Sequence, residues 1–169
     1  MNDIFVLRIF IRKYSLNNNT MLGELNEYEI DNLLLSQSVG RIGYADGKKP
    51  YITPVTYIYD GNNIIGQTRQ GMKLDLIRKN PTVCFEVDVI TSMNNWKSVL
   101  VSGKFFELKG KEGDKAREYL FKHVLTLMTG SAVHQHEHEV STEVDDDNRI
   151  KPVMYKIKIK EKYGRFEKQ

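Results

Sequence analysis

Lys73 and Thr68 are the residues whose types and positions most clearly predict chemistry, because they flank a junction between a strand and a helix. The strand-like run 63–68 is followed by Gly71-Met72-Lys73, which opens a short helix. The first N–H groups of a helix have no partner within it, and the helix dipole is positive at that end. Together with the Lys73 ammonium and the Thr68 hydroxyl, these N–H groups predict a corner that binds phosphate.

Two further signals surround this corner. The run from Tyr51 to Tyr59 predicts a long strand with alternating faces, and Asp60-Gly61 predicts the turn that returns the chain to the corner. Pro54 cannot donate a hydrogen bond to a neighbouring strand, so we expect a bulge or a free edge there. The helix that begins near Met72 must end near Asn80, because a proline follows.

The other elements predict a mainly β fold with peripheral helices. Asn26 and Glu29 form the pattern of a capping box at the start of a first helix, and a second long helix is expected over 112–128. Further strands are expected at the positions 41–45, 82–89, 96–108 with a bend at Gly103, and from 153 onward. Six short strands joined mostly by turns predict a six-stranded antiparallel barrel.

Composition predicts one soluble domain. The chain has 169 residues, of which 40% are hydrophobic and 28% charged, and its net charge is only +3 with the basic residues dispersed. These values favour neither nucleic acid nor membrane as a partner. Cys84 is the only cysteine, so no internal disulfide can form and a cytoplasmic location is expected. We expect the domain to cover 21–169.

The first twenty residues are expected to be an extension of this domain. They end in a polar stretch just before a second methionine, Met21. One interpretation is that translation begins at Met21, and the other is that these residues form a loosely attached N-terminal arm. A mobile loop is expected at about 129–151.

Several short motifs in register resemble the pyridoxamine 5′-phosphate oxidase-like, flavin-binding split-barrel family, in its branch near the nitroimidazole-resistance proteins. The blocks are Gly40-Arg41-Ile42-Gly43, Pro54-Val55-Thr56-Tyr57, Gly71-Met72-Lys73, Arg78-Lys79-Asn80-Pro81, Val83-Cys84-Phe85-Glu86-Val87 and Trp96-Lys97-Ser98-Val99. This resemblance implies a split β-barrel, FMN as the cofactor, and a homodimer with two cofactor sites at the subunit interface.

The resemblance also implies which residues contact FMN. Pro54, Val55 and Thr56 would lie under the flavin ring. Gln67 and Thr68 would lie beside the ribityl chain and phosphate, Gly71 and Lys73 would close on the phosphate, and Trp96 and Ser98 would approach the ring from a neighbouring strand. Arg165 would extend toward the cofactor of the partner subunit.

The expected function is that of an FMN-dependent oxidoreductase of small molecules, with a reduced nicotinamide as the electron donor. The alternative is a non-catalytic module that binds FMN, haem or a similar planar anion. Many relatives carry histidine at or next to the position of Gln67, and a glutamine amide cannot transfer a proton as imidazole can. This departure argues against nitroimidazole reduction more than against FMN binding, and no catalytic acid or base is assigned.

Two other patterns have weaker functional readings. His134, His136 and His138 alternate and could meet one metal ion, but a solvated polar loop is the preferred interpretation and no metal is assigned. Lys156, Lys158 and Lys160 form a basic stripe on the last strand. We expect that stripe to protect a sheet edge rather than to bind nucleic acid.

Overall fold

The computed structural model describes residues 21–129 and 152–169, which form three helices and seven strands. The strands are β1 (Met21–Glu24), β2 (Val39–Ala45), β3 (Pro50–Tyr59), β4 (Asn63–Thr68), β5 (Thr82–Ser92), β6 (Asn95–Leu108) and β7 (Val153–Lys168). The helices are α1 (Glu27–Ser36), α2 (Met72–Lys79) and α3 (Gly110–Thr129). The expected N-terminal extension and most of the expected loop at 129–151 lie outside the described residues.

Six strands form a closed antiparallel ring, which confirms the predicted barrel. The order is β7-β4-β3-β2-β5-β6, and β6 pairs with β7 to close it. A seventh strand that the sequence patterns missed, β1, pairs with the end of β7, where Glu24 is opposite Arg165. The 16-residue β7 is long enough to pair with β4 through its first six residues, with β6 along most of its length and with β1 at its end.

The interior of the ring is filled by alternate residues of the strands, as the period-2 pattern requires. On β3, Val55, Tyr57 and Tyr59 are buried within the main core. On β5 the core contains Val83, Phe85 and Val87, with the partly buried Val89 packed against it. The other face of each strand points outward.

The helices cover the barrel at separate places. Asn26 and Glu29 exchange the two hydrogen bonds of a capping box at the start of α1, which confirms the prediction. Leu74 and Ile77 of α2 are buried in the main core. On α3, Ala116 and Leu120 join a second cluster that contains outward-facing residues of β3, β4 and β7.

Two predicted irregularities have clear outcomes. The register of β6 with β7 shifts between Ser102 and Gly103, which confirms the bend. Pro54 does not mark a bulge, since its register with Arg41 on β2 is unbroken. Pro54 lies instead at a free edge of β3, as the other predicted possibility requires, because β4 pairs with β3 only from Tyr57 onward.

The prediction that the lysine stripe protects a sheet edge is wrong for two of its three residues. Lys156 and Lys158 lie on β7 between β4 and β6, and not at an edge of the sheet. Lys158 is opposite Lys104 of β6, and Lys156 forms an ion pair with Glu112 of α3, with 2.6 Å between the charged atoms. Lys160 is the residue left unpaired by the register shift in β7. Edge protection therefore does not explain Lys156 and Lys158.

Candidate functional site

The site begins where β3 and β4 separate. Their pairing runs from Tyr59 opposite Ile64 to Tyr57 opposite Gly66, and it ends there. Beyond this point β4 stays paired with β7 as far as Thr68, and β3 stays paired with β2. Each of the two diverging strands is therefore held by its other neighbour. A cleft opens between them.

One wall of the cleft is a strand edge with unused hydrogen-bonding capacity. The N–H of Tyr57 donates to the Ser38 carbonyl, on the β2 side. Because successive backbone groups of a strand point to opposite sides, the N–H of Thr56 points toward the cleft. The nitrogen of Pro54 points to the same side, so the proline costs no hydrogen bond to β2. This edge therefore offers backbone polar groups to a ligand.

The other wall is the start of α2. Gly71 precedes the helix with φ +151° and ψ −174°, a conformation that is essentially restricted to glycine, and no side chain in the described part of the molecule caps the helix. The first intrahelical hydrogen bond runs from the Asp75 N–H to the Gly71 carbonyl. The N–H groups of Met72, Lys73 and Leu74 consequently have no acceptor within the helix. They form an N-terminus suited to an anion.

Lys73 brings a full charge to this wall. Its side chain is half-buried, and this burial lowers the pKa of the ammonium below its ordinary value. Among residues 21–129 and 152–169, no carboxylate forms an ion pair with Lys73. A partly desolvated cation without a counter-ion is stabilised by a bound anion.

Thr68 and Gln67 lie at the end of β4, between the two walls. Thr68 is buried, with 6% of its surface exposed, and its hydroxyl donates to the Arg69 carbonyl at 3.3 Å. Gln67 is exposed. Gln70, in the loop before α2, donates to the Asp75 carboxylate at 3.1 Å. This bond holds the Asp75 carboxylate at the loop.

The cleft has a volume of about 460 Å³. Its lining residues are Pro54, Val55, Thr56, Gln67, Thr68, Arg69, Gln70, Gly71, Met72 and Lys73. Seven of the nine predicted site residues are in this set. The sequence patterns missed Arg69, Gln70 and Met72, although all three lie inside the segment that predicted the corner. None of the described lining residues is acidic and two are cationic, so the cleft suits an anionic ligand.

Trp96 and Ser98 do not line the cleft of their own chain. The indole N–H of Trp96 donates to Glu167 at 2.9 Å, and the Ser98 hydroxyl donates to Glu86 at 2.9 Å. Both side chains belong to the outward face of β6. Arg165 lies beside Glu24 of β1, at 3.5 Å. Contact of these three residues with a cofactor is therefore not made within one chain and stays a prediction.

The outward face around Trp96 and Ser98 is rich in exposed apolar side chains. On β2, Arg41 forms ion pairs with Glu86 and Asp88 of β5 across the centre of this face. Large hydrophobic residues surround the ion pairs, namely Val39, Ile52, Ile90, Leu100 and Tyr163. Exposed apolar residues gathered on one sheet face are typical of an interaction surface.

Two kinds of site are not seen in the described part of the chain. No group of three His, Cys, Asp or Glu side chains there is arranged to hold a metal ion, while His134, His136 and His138 lie outside it. No helix within the same ranges is long and apolar enough to cross a membrane.

Comparison with known sequences gives a consistent family assignment. A family model described as Pyridoxamine 5′-phosphate oxidase matches residues 26–165. An uncharacterized protein of Rhizobium meliloti (strain 1021) is 30% identical over 89 residues. The match covers 53% of this chain and 59% of that relative, so the chain spans about three fifths of the relative's length.

Solved structures with the same fold extend over most of the chain. An FAD-binding protein from Mesorhizobium loti is 25% identical with a TM-score of 0.67, covering 89% of this chain and 100% of that one. A candidate 5-nitroimidazole antibiotic resistance protein from Bacteroides thetaiotaomicron is 12% identical with a TM-score of 0.63, and the match covers 89% and 90% of the two chains. An FAD-binding protein from Mycobacterium smegmatis is 18% identical with a TM-score of 0.58, covering 86% and 98%.

Proposed function

Because the chain belongs to the pyridoxamine 5′-phosphate oxidase family, we propose that the cleft between β3 and α2 binds a flavin nucleotide by its phosphate. FMN is the simplest ligand of this kind. A flavin is also the ligand named for the Mesorhizobium loti protein, whose structure matches most of this chain. The proposal is independent of which small molecule the flavin then reacts with.

The observation that carries the proposal is the position of Lys73. Its half-buried ammonium, the uncapped start of α2 and the buried Thr68 hydroxyl border one cleft. Each of these groups favours a phosphate, and no acidic side chain among the described lining residues opposes it. A volume of about 460 Å³ also lies within the usual range of small-molecule sites.

The β3 edge suits the ring of the flavin. The cleft-facing N–H of Thr56 is a donor for an acceptor atom of the ring, while Pro54 and Val55 offer apolar surface to its face. The phosphate and the ring would then contact opposite walls of the same cleft. In this arrangement Gln67 and Thr68 accompany the ribityl chain between them.

A second copy of this chain would complete the site. Trp96 and Ser98 lie on the outward face of β6, among exposed apolar residues such as Leu100 and Tyr163. Pairing of two copies through this face would bury those residues and carry Trp96 and Ser98 to the partner's cleft. In such a homodimer, Trp96 and Ser98 could contact the flavin ring of the partner although they lie outside the cleft of their own chain.

With flavin bound, the cofactor would supply electron transfer between a reduced nicotinamide and a small acceptor. The protein's own residues would hold the phosphate, orient the ring and shape the space above it. The described lining residues include no His, Cys, Asp, Glu or Tyr, and this favours a second candidate, a module that binds flavin without turnover. Haem as the planar ligand belongs to the same second candidate.

Titration with FMN tests the binding proposal. We expect the purified protein to bind FMN with a flavin absorbance spectrum, and Lys73→Gln to weaken binding at least about tenfold, as for loss of a charge-assisted hydrogen bond. Lys79→Gln, at the other end of α2, is the matched control and should leave binding unchanged. Equal affinity of the Lys73 variant and the wild type would overturn the assignment, and a Soret band would identify haem instead.

Anaerobic addition of NADH or NADPH separates the two candidate functions. Bleaching of the bound flavin by either donor supports an oxidoreductase. An unchanged spectrum with both donors supports the passive binding module.

The dimer has its own test. Leu100→Lys should convert the protein to monomers in light scattering and weaken FMN binding, whereas Tyr28→Lys, an exposed position on α1, should do neither. A wild-type protein that is monomeric when loaded with flavin would exclude the shared site.

A further inference from the structure

We propose that Arg69 is a second phosphate-binding residue, which lets the cleft hold the diphosphate of FAD as well as the single phosphate of FMN. This inference rests on the proposed binding of a flavin by the cleft. It adds a specificity-determining residue to that site. Neither the motifs in the sequence nor the strand-to-helix corner assigned any role to Arg69.

The partners of the arginines single out Arg69. Five arginines lie within residues 21–129 and 152–169, and four of them are engaged. Arg41 and Arg78 form ion pairs with β5 and β6, Arg165 lies beside Glu24, and Arg117 donates to the Pro152 carbonyl at 3.1 Å. Arg69 is the exception, since no hydrogen bond or ion pair of its guanidinium is made to any residue within those ranges.

The loop that carries Arg69 is held on both sides. The Thr68 hydroxyl donates to the Arg69 carbonyl, and the Gln70 amide donates to Asp75 on α2. The Arg69 carbonyl is therefore held to the end of β4 and the next residue is held to α2, while Arg69 itself lines the cleft and is exposed. This position leaves the guanidinium available to a ligand.

Two separate cations suit two phosphate groups. Lys73 lies on the first turn of α2 and shares a phosphate with the uncapped helix N–H groups. Arg69 precedes the helix and borders the same cleft from the loop. A guanidinium binds phosphate through two parallel N–H groups, which an ammonium cannot do. The second phosphate of a flavin dinucleotide would therefore bind Arg69, while Lys73 keeps the first.

The charge of the cleft supports this division. Arg69 and Lys73 are the cationic side chains of the lining, and none of the described lining residues carries a negative charge. An adjacent acidic group, Asp75, is bonded to Gln70 and forms an ion pair with Arg78 at 3.5 Å. A diphosphate carries one negative charge on each of its two phosphates, so each cation has one phosphate to pair with, whereas the charge of FMN lies on a single phosphate.

The test compares FMN and FAD on the same set of variants. We expect wild-type protein to bind FAD at least as tightly as FMN, and Arg69→Gln to weaken FAD at least about tenfold while changing FMN less than about threefold. Arg69→Lys should recover part of the FAD affinity. Lys79→Gln, which also removes one positive charge, should change neither ligand.

The outcomes separate this inference from the proposed function. If wild-type protein binds neither flavin, both fail. If FMN binds and Arg69→Gln changes FMN and FAD affinity by the same factor, or changes neither, the role of Arg69 is wrong and the flavin site stands. Thermal unfolding of the Arg69→Gln protein without flavin should match the wild type, because the side chain has no partner among the described residues.

Discussion

The phenol oxygen of Tyr155 lies 2.6 Å from the point at which a side chain on Gly66 would begin. The two residues are opposite each other on β7 and β4, at the level where β3 and β4 separate. The Tyr155 ring stacks on Phe105 with 4.7 Å between centroids and is 1% exposed. Gly66 therefore supplies the space that lets this ring lie beneath the inner end of the cleft.

Gly66→Ala should destabilise the protein by about 1–3 kcal/mol, as expected for overpacking a rigid core. The added carbon would lie 2.6 Å from the Tyr155 hydroxyl and 3.0 Å from the Thr56 carbonyl oxygen, so an aromatic ring or a strand must shift. Urea unfolding measures the loss. The same substitution in a Tyr155→Leu background should cost less. Equal costs in both backgrounds would show that the ring is not what the alanine meets.

Tyr155→Phe should leave stability unchanged or raise it by up to about 2 kcal/mol, because the buried Tyr155 hydroxyl has no hydrogen-bond partner among the described residues. Tyr57→Phe is the matched control. Tyr57 is also a buried residue, but its hydroxyl donates to the Leu34 carbonyl at 2.9 Å, so its removal should cost about 1 kcal/mol. A larger loss for Tyr155→Phe than for Tyr57→Phe would mean that the Tyr155 hydroxyl is satisfied.

The titration of Lys73 should affect stability and flavin binding in opposite directions. Burial lowers the pKa of Lys73 below its ordinary value of 10.5. Between the lowered pKa of Lys73 in the folded protein and its ordinary pKa in the unfolded chain, the unfolded chain binds more protons than the folded one. The free energy of unfolding therefore rises with pH across this range. Flavin affinity should fall across the same range, because the ammonium that we propose to bind phosphate is lost.

Lys73→Met provides the reference for both measurements. Both quantities are measured from neutral pH to 10.5, stability by urea unfolding and affinity by FMN titration. With rising pH, the stability of the wild type relative to the variant should increase, and its FMN affinity relative to the variant should decrease. Parallel trends in the two differences would argue against a phosphate contact of Lys73.

Asp31→Asn should reduce thermal stability at neutral pH and have no effect in acid. Burial alone would raise the pKa of Asp31, but hydrogen bonds from Lys162 and Tyr59 and the Lys162 charge lower it below the ordinary 3.8. The stabilisation is thus present above 3.8 and lost as pH falls through the lower pKa of the folded protein. Calorimetry down the acid range measures this, and a stability difference that persists below that pKa would contradict the assigned ion pair.

Much of the local structure follows from the sequence. The capping box of Asn26 and Glu29, the alternation along β3 and the strand-to-helix corner before Lys73 depend on neighbours a few residues apart. Period, capping and turn chemistry are local properties, so patterns predict them well. For the same reason, seven of the nine predicted site residues come from segments flanking a single turn and one helix start.

Other features depend on which strands become neighbours, and no local pattern determines that. The closure of β6 on β7 removed the sheet edge that the lysine stripe was expected to protect, and it placed Ser98 and Trp96 away from the cleft of their own chain. The gap between β3 and β4 and the phenol beside Gly66 likewise arise from sheet order and register. Sequence alone determined the chemical character of the corner before Lys73, which we propose to bind phosphate. Tertiary structure decided what surrounds it, because contacts between distant segments exist only once the ring has closed.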